Sequence, residues 1–166
     1  MIKYVETQVT FSEIPDEITL CINLSNCPHK CKDCHSPYLQ EDVGEELTVN
    51  RLQELIDNNK GITCVCFMGG DCDIPQLLTL AESVKSRKDF TYKVGWYSGL
   101  EFQPMWDRPS AVVFDYIKTG PYMQDRGPLN SPTTNQRMWK KTGIIWENIT
   151  YKFWRNESNK TKTQTL

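Results

Sequence analysis

The sequence predicts an α/β domain whose mostly parallel sheet forms an open, partial βα barrel. Segments typical of strands and helices alternate between residues 18 and 117, and such alternation favours right-handed βα crossovers. The chain has 166 residues, whereas a complete eight-stranded βα barrel takes about 250. We therefore expect a single domain over residues 1–154 and a polar, disordered tail over residues 155–166.

The first predicted elements are a β-hairpin and an amphipathic helix. Residues 1–11 alternate in polarity, a turn is expected at Pro15, and residues 18–24 are rich in strand-forming side chains. Residues 47–59 predict a helix with Thr48 as its N-cap. Its apolar side chains are expected on one face: Val49, Leu52, Leu55 and Ile56.

The remaining predicted elements continue the alternation of strands and helices. They are a strand over 62–68, a helix over 74–85, strands over 90–97 and 111–117, a loop over 120–134 and a strand over 144–154. The second helix has Asp73 at the expected N-cap position and Pro75 in its first turn.

Composition and charge exclude several classes of partner. The chain is 39% hydrophobic and 24% charged, and its formal net charge is -2. It therefore has no overall basic field for nucleic acid or an anionic membrane surface. The first residues contain no apolar signal-peptide core, and no run approaches the ~20 apolar residues of a membrane span. We expect a cytoplasmic protein.

The seven cysteines point to metal or redox chemistry. Their number is odd, and a chain without a secretory signal is not expected to carry a disulfide framework. Cys21 lies in the first core strand, and Cys64 and Cys66 alternate along the next. We predict that these three pack in the core as small hydrophobic side chains.

The strongest functional motif is the loop that follows the strand over 18–24. Cys27, Cys31 and Cys34 form a C-x3-C-x2-C spacing there. A fully ligated iron–sulfur cluster takes four cysteines. Three thiolates would hold a 4Fe-4S cluster and leave one iron open to a substrate, as catalytic metal sites keep one position free.

Other polar or glycine residues follow the later strands. They are the pair Gly69 and Gly70 with Asp71, then Ser98, then Lys118. The carboxyl ends of parallel strands meet at one edge of a sheet, where open α/β sheets bind their ligands. We therefore expect one site at this edge. The simpler alternative for residues 69–71 is a strand-to-helix turn capped by Asp71 or Asp73.

These motifs resemble those of the radical S-adenosylmethionine superfamily. The cysteine motif follows the first parallel strand, and a Gly-Gly-acid motif follows the next. Segments 115–122 and 127–137, the second with its Thr-Asn-Gln-Arg run, are similar to the family of activating proteins for anaerobic ribonucleoside-triphosphate reductase. The resemblance covers roughly residues 10 to 140. Two positions depart from it: Cys72 stands where the family usually has proline, and His35 where relatives commonly have an aromatic residue.

The resemblance implies a partial βα barrel of the radical S-adenosylmethionine type and a redox activity. Cys27, Cys31 and Cys34 would ligate a 4Fe-4S cluster whose open iron binds S-adenosylmethionine. Reductive cleavage would produce a 5′-deoxyadenosyl radical, which would abstract hydrogen from a glycine of the reductase large subunit. The implied partners are that glycyl radical protein and a low-potential electron donor such as flavodoxin.

The resemblance also implies a set of residues that bind S-adenosylmethionine. They are Asp33, Cys34 and His35 along the adenine, Gly69, Gly70 and Asp71 near the methionine ammonium group, and Ser98 and Lys118 at the same edge. Simpler alternatives are a turn serine at 98 and a surface lysine at 118. His29 would be either a solvated loop residue or a hydrogen-bonding partner that tunes the cluster.

Two other functions stay open from sequence alone. One is a small radical enzyme acting on a metabolite, similar to the carboxy-deazaguanine synthases. The other is a non-catalytic zinc or iron–sulfur binding module, in which His29 or His35 joins the three cysteines to close a tetrahedral site. Cys72 has no assigned role, and as a fourth ligand it would block the open iron. The sequence offers no physical account of residues 135–137, for which partner contact and loop fixation both fit.

Overall fold

The computed structural model describes residues 1–101 and 110–154. The tail predicted at 155–166 lies outside the described residues. The strands are β1 (Lys3–Thr10), β2 (Thr19–Leu24), β3 (Glu45–Glu46), β4 (Cys64–Met68), β5 (Lys93–Tyr97), β6 (Tyr116–Thr119), β7 (Arg137–Thr142) and β8 (Ile145–Asn148). The α-helices are α1 (Val49–Asn58), α2 (Ile74–Lys85) and α3 (Ser110–Val113).

The strands form one mixed sheet in the order β3-β1-β2-β4-β5-β6-β7-β8. The four central strands β2, β4, β5 and β6 are parallel, while the pairings outside them are antiparallel. The helix-containing crossovers lie within the central block. The two residues 143–144 join β7 to β8, and so short a hairpin can make only an antiparallel pair. The described sheet is therefore parallel at its centre and antiparallel at both sides, and a partial barrel of the radical S-adenosylmethionine type stays a prediction.

The N-terminal hairpin and both predicted helices are confirmed. β1 and β2 pair antiparallel. The Thr48 side chain accepts a hydrogen bond from the Arg51 backbone N–H, and the Asp73 side chain accepts one from Gln76. Three apolar residues predicted for the face of α1 are buried, but Val49 is exposed.

The C-terminal third differs from the prediction in three places. The predicted strand over 111–117 is a helix through Val113 followed by β6, because a short apolar run has no period that separates strand from helix. β7 was missed because charged side chains interrupt its alternation. The predicted strand over 144–154 ends at Asn148, and a 3-10 helix (Thr150–Phe153) follows.

The sheet buries apolar side chains on both faces. Helices α1 and α2 cover the face that carries Val65 and Phe67. Since successive strand residues point to opposite faces, Cys64 and Cys66 lie on the other face. A second cluster forms there from Ile14, Cys21, Cys64, Cys66, Tyr116, Leu129, Met138 and Ile149. The predicted core packing of the three strand cysteines is therefore confirmed.

Within residues 1–101 and 110–154, no helix has the length and apolar character that a membrane crossing needs.

Candidate metal centre

The predicted site residues follow the carboxyl ends of the four parallel strands. The cysteine loop comes after β2, residues 69–71 after β4 and Ser98 after β5, while Lys118 lies within β6 near its end. Backbone hydrogen bonds hold these strand ends in register: Gly69 N–H donates to the Tyr97 carbonyl (3.0 Å), and Ser98 N–H donates to the Lys118 carbonyl (2.8 Å). The predicted convergence at one edge of the sheet is confirmed for these segments.

The start of the cysteine loop is anchored to the segment before β3. The Asn26 N–H donates to the Glu41 carbonyl at 2.9 Å, and the Cys27 N–H donates to the Leu39 carbonyl at 3.0 Å. Further along, the Cys34 N–H donates to the Cys31 carbonyl at 3.3 Å. The loop is therefore a series of turns with few backbone bonds of its own.

Three non-glycine residues of the loop have left-handed backbone conformations. The φ angles of Asn26, Lys30 and Asp33 are 59°, 45° and 57°. Asn and Asp are the non-glycine residues that tolerate this region best, whereas a lysine there is uncommon. Lys30 lies directly before Cys31, so backbone strain is located within the cysteine motif.

The three loop cysteines are free, partly exposed thiols. Partial burial raises the pKa of the Cys27 thiol. Asp71 and, when ionised, the three loop thiols favour the charged form of Lys118. Among the described residues, no group of three or more His, Cys, Asp or Glu side chains is arranged to hold a metal ion. Ligation by these three thiolates therefore stays a prediction.

Asp71 joins the cysteine loop to the end of β5. Its side chain is only 2% exposed. His29 Nε2 lies 2.7 Å from Oδ2, the Ser98 hydroxyl donates to Oδ1 at 2.7 Å, and the Gly99 N–H donates to Oδ2 at 2.8 Å. A carboxylate accepts and does not donate, so Nε2 carries the shared proton of the His29 bond. Asp71 is therefore a central acceptor and not a simple helix cap.

Lys118 and Ser98 are buried parts of this site. Lys118 is 8% exposed, and its ammonium group donates to the Gly120 carbonyl (2.6 Å) and the Ser98 carbonyl (3.3 Å). Burial lowers the pKa of Lys118 to about 8, although Asp71 and the loop thiolates act in the opposite direction. Ser98 is 1% exposed and also accepts from the Leu100 N–H. The alternative of a surface lysine at 118 is wrong.

Gly69 and Gly70 let the chain turn tightly at the end of β4. Both have positive φ angles, 111° and 100°. A Cβ on Gly70 would lie 3.0 Å from a methyl of Leu77 and 3.1 Å from one of Leu24. Side chains at these positions would therefore strain the backbone and crowd the core.

Lys118 lines a cavity of about 660 Å³. Its walls include His35, Tyr97, Lys118 and Gln136. His35 is exposed, and its ring centroid lies 4.7 Å from that of Tyr122. Two residues predicted to bind the cofactor, His35 and Lys118, thus line one space, while Asp33 is exposed in the loop.

The segment 135–137, which had no account from sequence, fixes the loop after β6. The Asn135 amide donates to the Pro121 carbonyl (2.9 Å), and the Gln136 amide donates to the Gly120 carbonyl (3.4 Å). Gln136 thereby shares an acceptor with Lys118 and lines the cavity, a role that sequence reasoning missed. No sequence pattern indicated this role, since β7, which directly follows Gln136, was not predicted.

Cys72 is exposed, with its thiol 4.0 Å from the Ser25 carbonyl oxygen. This contact places Cys72 beside the start of the cysteine loop. The structure, like the sequence, assigns no role to Cys72.

Comparison with known protein families agrees with this chemistry. The model of the 4Fe-4S single cluster domain family matches residues 18–130, which is more than half of the chain. The chain belongs to this family. It is therefore an iron–sulfur protein with a 4Fe-4S cluster-binding domain, and thiolate sulfur is the donor such clusters take, so the free loop thiols fit. Searches of curated proteins and of solved structures gave no match.

Proposed function

We propose that this iron–sulfur protein is a radical S-adenosylmethionine activase. It would generate a glycyl radical on the large subunit of an anaerobic ribonucleoside-triphosphate reductase, with electrons from a low-potential donor such as flavodoxin. The domain would be a partial βα barrel of the radical S-adenosylmethionine type. Its parallel centre of four strands and the position of its cysteine loop support this proposal.

One observation carries the proposal: Asp71 bonds both to the cysteine loop and to the end of β5. Through His29 it contacts the loop, and through Ser98 and Gly99 it contacts the neighbouring strand end. Lys118 lies against the same segment through its bond to the Ser98 carbonyl. A cluster-binding loop is thus built into a buried polar network at a strand edge, where open α/β sheets bind ligands.

In the proposed enzyme, Cys27, Cys31 and Cys34 hold the 4Fe-4S cluster. When bound, the cluster would supply the one-electron reduction that S-adenosylmethionine cleavage requires. The protein's own contribution is to orient the ligand and exclude water from it. The cavity beside Lys118 provides a space partly screened from solvent for that purpose.

The proposed contacts to S-adenosylmethionine use polar groups in the segments that follow the parallel strands. Asp71 accepts three hydrogen bonds, and a carboxylate offers about four acceptor positions, so one remains for the methionine ammonium group. Lys118 supplies a cation for the carboxylate. The other proposed contacts are the backbone at Gly69 and Gly70, the Ser98 segment, and Asp33, Cys34 and His35 along the adenine.

The test is anaerobic turnover of the reconstituted full chain. The protein is loaded with iron and sulfide, reduced with dithionite and mixed with S-adenosylmethionine, and 5′-deoxyadenosine is measured with and without the reductase large subunit. We expect cleavage and, only with the reductase, a glycyl signal in electron paramagnetic resonance. Cys31→Ala should abolish both, whereas the matched control Cys72→Ser should retain both.

Two other outcomes would change the assignment. Cleavage without a glycyl signal would place the substrate among metabolites, as in a carboxy-deazaguanine synthase-like enzyme. A protein with its full iron and sulfide content that never cleaves S-adenosylmethionine would be a non-catalytic iron–sulfur binding module. That second function has its own support, because the matched family is defined by the cluster domain alone.

A further inference from the structure

We propose that His29 is a positioning residue, which fastens the cysteine loop to Asp71 and so sets where the loop thiols stand relative to the cavity. His29 lies two residues from Cys27 and two from Cys31. The His29–Asp71 hydrogen bond, called the tie below, therefore constrains the first half of the cysteine motif. The part of this inference that concerns S-adenosylmethionine rests on the proposed function, whereas the tie itself does not.

The first support is the geometry of the tie. The His29 Nε2–H donates to Asp71 Oδ2 at 2.7 Å, a charge-assisted contact that joins residues 42 positions apart in the chain. Asp71 cannot follow the loop if the loop moves, because Ser98 and Gly99 hold both of its oxygens. His29 therefore bonds to an acceptor that the sheet itself holds in place.

The second support is the close packing of the His29 imidazole ring against Gly99. A Cβ on Gly99 would lie 2.3 Å from His29 Cδ2, 2.7 Å from Cγ and 2.8 Å from Nε2. A Cβ atom does not come this close to non-bonded heavy atoms, so the ring occupies space that a side chain at position 99 would need. The backbone of Gly99 has no left-handed φ that would itself require glycine, and the absent side chain is therefore explained by the ring.

The third support is the strain that the tie must oppose. Lys30 follows His29 and has a φ angle of 45°. A non-glycine residue in this region is strained, and the conformation persists only where neighbouring contacts determine it. The His29–Asp71 bond and the backbone hydrogen bonds of Asn26 and Cys27 fix the chain on the N-terminal side of Lys30. They provide contacts that hold this conformation.

The consequence is that the loop has a set position before the cluster is bound. The tie uses side chains and a backbone N–H of the protein alone. It also places the loop against the same carboxylate that we propose as a ligand for the methionine ammonium group. Loss of the tie should therefore affect both loop order and the binding of S-adenosylmethionine.

The experiment compares His29→Ala, His29→Gln and Gly99→Ala by hydrogen exchange of the full chain, before and after reconstitution. Loss of a hydrogen bond to a charged group shifts an opening equilibrium by about 10- to 100-fold. We expect the hydrogen-bonded amides of Cys27 and Cys34 to exchange faster by that factor in His29→Ala and Gly99→Ala. His29→Gln should restore protection, because its amide nitrogen can reach the position of Nε2.

The controls separate the tie from general loosening of the loop. Lys32→Ala changes an exposed residue of the same loop and should leave exchange unchanged. Gly99→Ala should have no further effect in a His29→Ala background, since the clash it creates is with the ring. Equal exchange in all variants, or additive effects of Gly99→Ala and His29→Ala, would overturn the inference.

A second readout distinguishes positioning from a purely structural role. In reconstituted protein of equal iron content, His29→Ala should raise the KM for S-adenosylmethionine about tenfold, and His29→Gln should restore it. An unchanged KM in His29→Ala with a loosened loop would overturn the positioning role. If the wild type cleaves no S-adenosylmethionine, the proposed function fails, and the exchange data alone still decide whether the tie exists.

Discussion

Six of the seven cysteines form two groups of three in contrasting environments. The strand group (Cys21, Cys64 and Cys66) is at most 5% exposed and packs in the core on the face away from the helices. The loop group (Cys27, Cys31 and Cys34) is partly exposed and lies beyond the carboxyl end of β2. The same residue type is a packing side chain in one group and a candidate ligand in the other.

The difference follows from backbone position. Cys64 and Cys66 are two residues apart on one strand, so both side chains point to the same packed face of the sheet. The loop cysteines occupy turns, where two left-handed residues, Lys30 and Asp33, redirect the chain between them. Spacing in a loop can therefore serve a ligand set, while spacing in a strand serves packing.

The largest expected effect is loss of the cluster on removal of a loop cysteine. Cys31→Ala should reduce bound iron from about four per chain to less than one after reconstitution, because a three-cysteine site has no spare ligand. Cys64→Ala should keep its iron. The check is iron and sulfide analysis of both proteins, and full iron content in Cys31→Ala would remove the distinction between the two groups.

The next largest effect is expected in thiol reactivity: in the cluster-free protein the loop cysteines should react faster than the strand cysteines. Burial raises the pKa values of Cys64 and Cys66 well above the ordinary thiol range, so their thiolate fraction stays small as the pH rises. They also need unfolding for access, which costs at least about 5 kcal/mol and slows reaction by about 1000-fold or more. We expect iodoacetamide to label the loop cysteines and Cys72 first, as followed by peptide mass spectrometry. Labelling of the strand group at a comparable rate would contradict its burial.

A polar atom introduced into the core should have a moderate effect on the free energy of unfolding. Cys66 is fully buried, with Sγ 3.7 Å from Met68 Sδ. Cys66→Ser places a stronger hydrogen-bonding group there and should lower the free energy of unfolding by about 1–3 kcal/mol. Cys72→Ser, at an exposed position, should change it by less than about 0.5 kcal/mol. Urea unfolding of the cluster-free proteins provides the measurement, and equal stabilities would count against the packing role.

A pH-dependent effect concerns Lys118, the cation that acts on the loop group. Its pKa is lowered from 10.5 to about 8 in the folded protein. Between these pH values the unfolded chain holds a proton that the folded protein has lost, so the free energy of unfolding rises with pH. Below pH 8 the cost of burying the charge is fully present.

The variant Lys118→Met should remove this contribution. The slope of unfolding free energy against pH, between pH 8 and 10.5, should be less positive in the variant than in the wild type. Comparison of the two proteins cancels the other groups that titrate in this range. Identical slopes would show that Lys118 titrates normally and that its burial does not weaken its proton affinity.

The elements that carry a strong period were predictable from sequence. Helix α1 has a capping threonine and a three-residue buried stripe, and Asp73 caps α2 as expected. The run Ala111–Phe114 is short and uniformly apolar, so local pattern did not identify its helical turn. β7 was hidden because its residues Lys140 and Lys141 are stabilised by partners remote in sequence, Tyr116 and the Val112 carbonyl.

The candidate site was predictable in its membership but not in its bonding. Residues after successive parallel strands must meet, which brought Asp71, Ser98 and Lys118 together. The bond from His29 to Asp71 was not predictable, because it joins loops whose paths depend on the fold. The same holds for Gln136, which reaches the site only because β7 pairs with β6.

The most direct test of the central claim is electron paramagnetic resonance of the reduced, reconstituted protein with and without S-adenosylmethionine. A cluster held by the three loop cysteines has an open iron, and binding of the sulfonium compound there should change the g values of the reduced cluster. We expect a clear change in the wild type. An unchanged spectrum from a fully loaded cluster would show a closed ligand set, which contradicts ligation by the three loop cysteines alone.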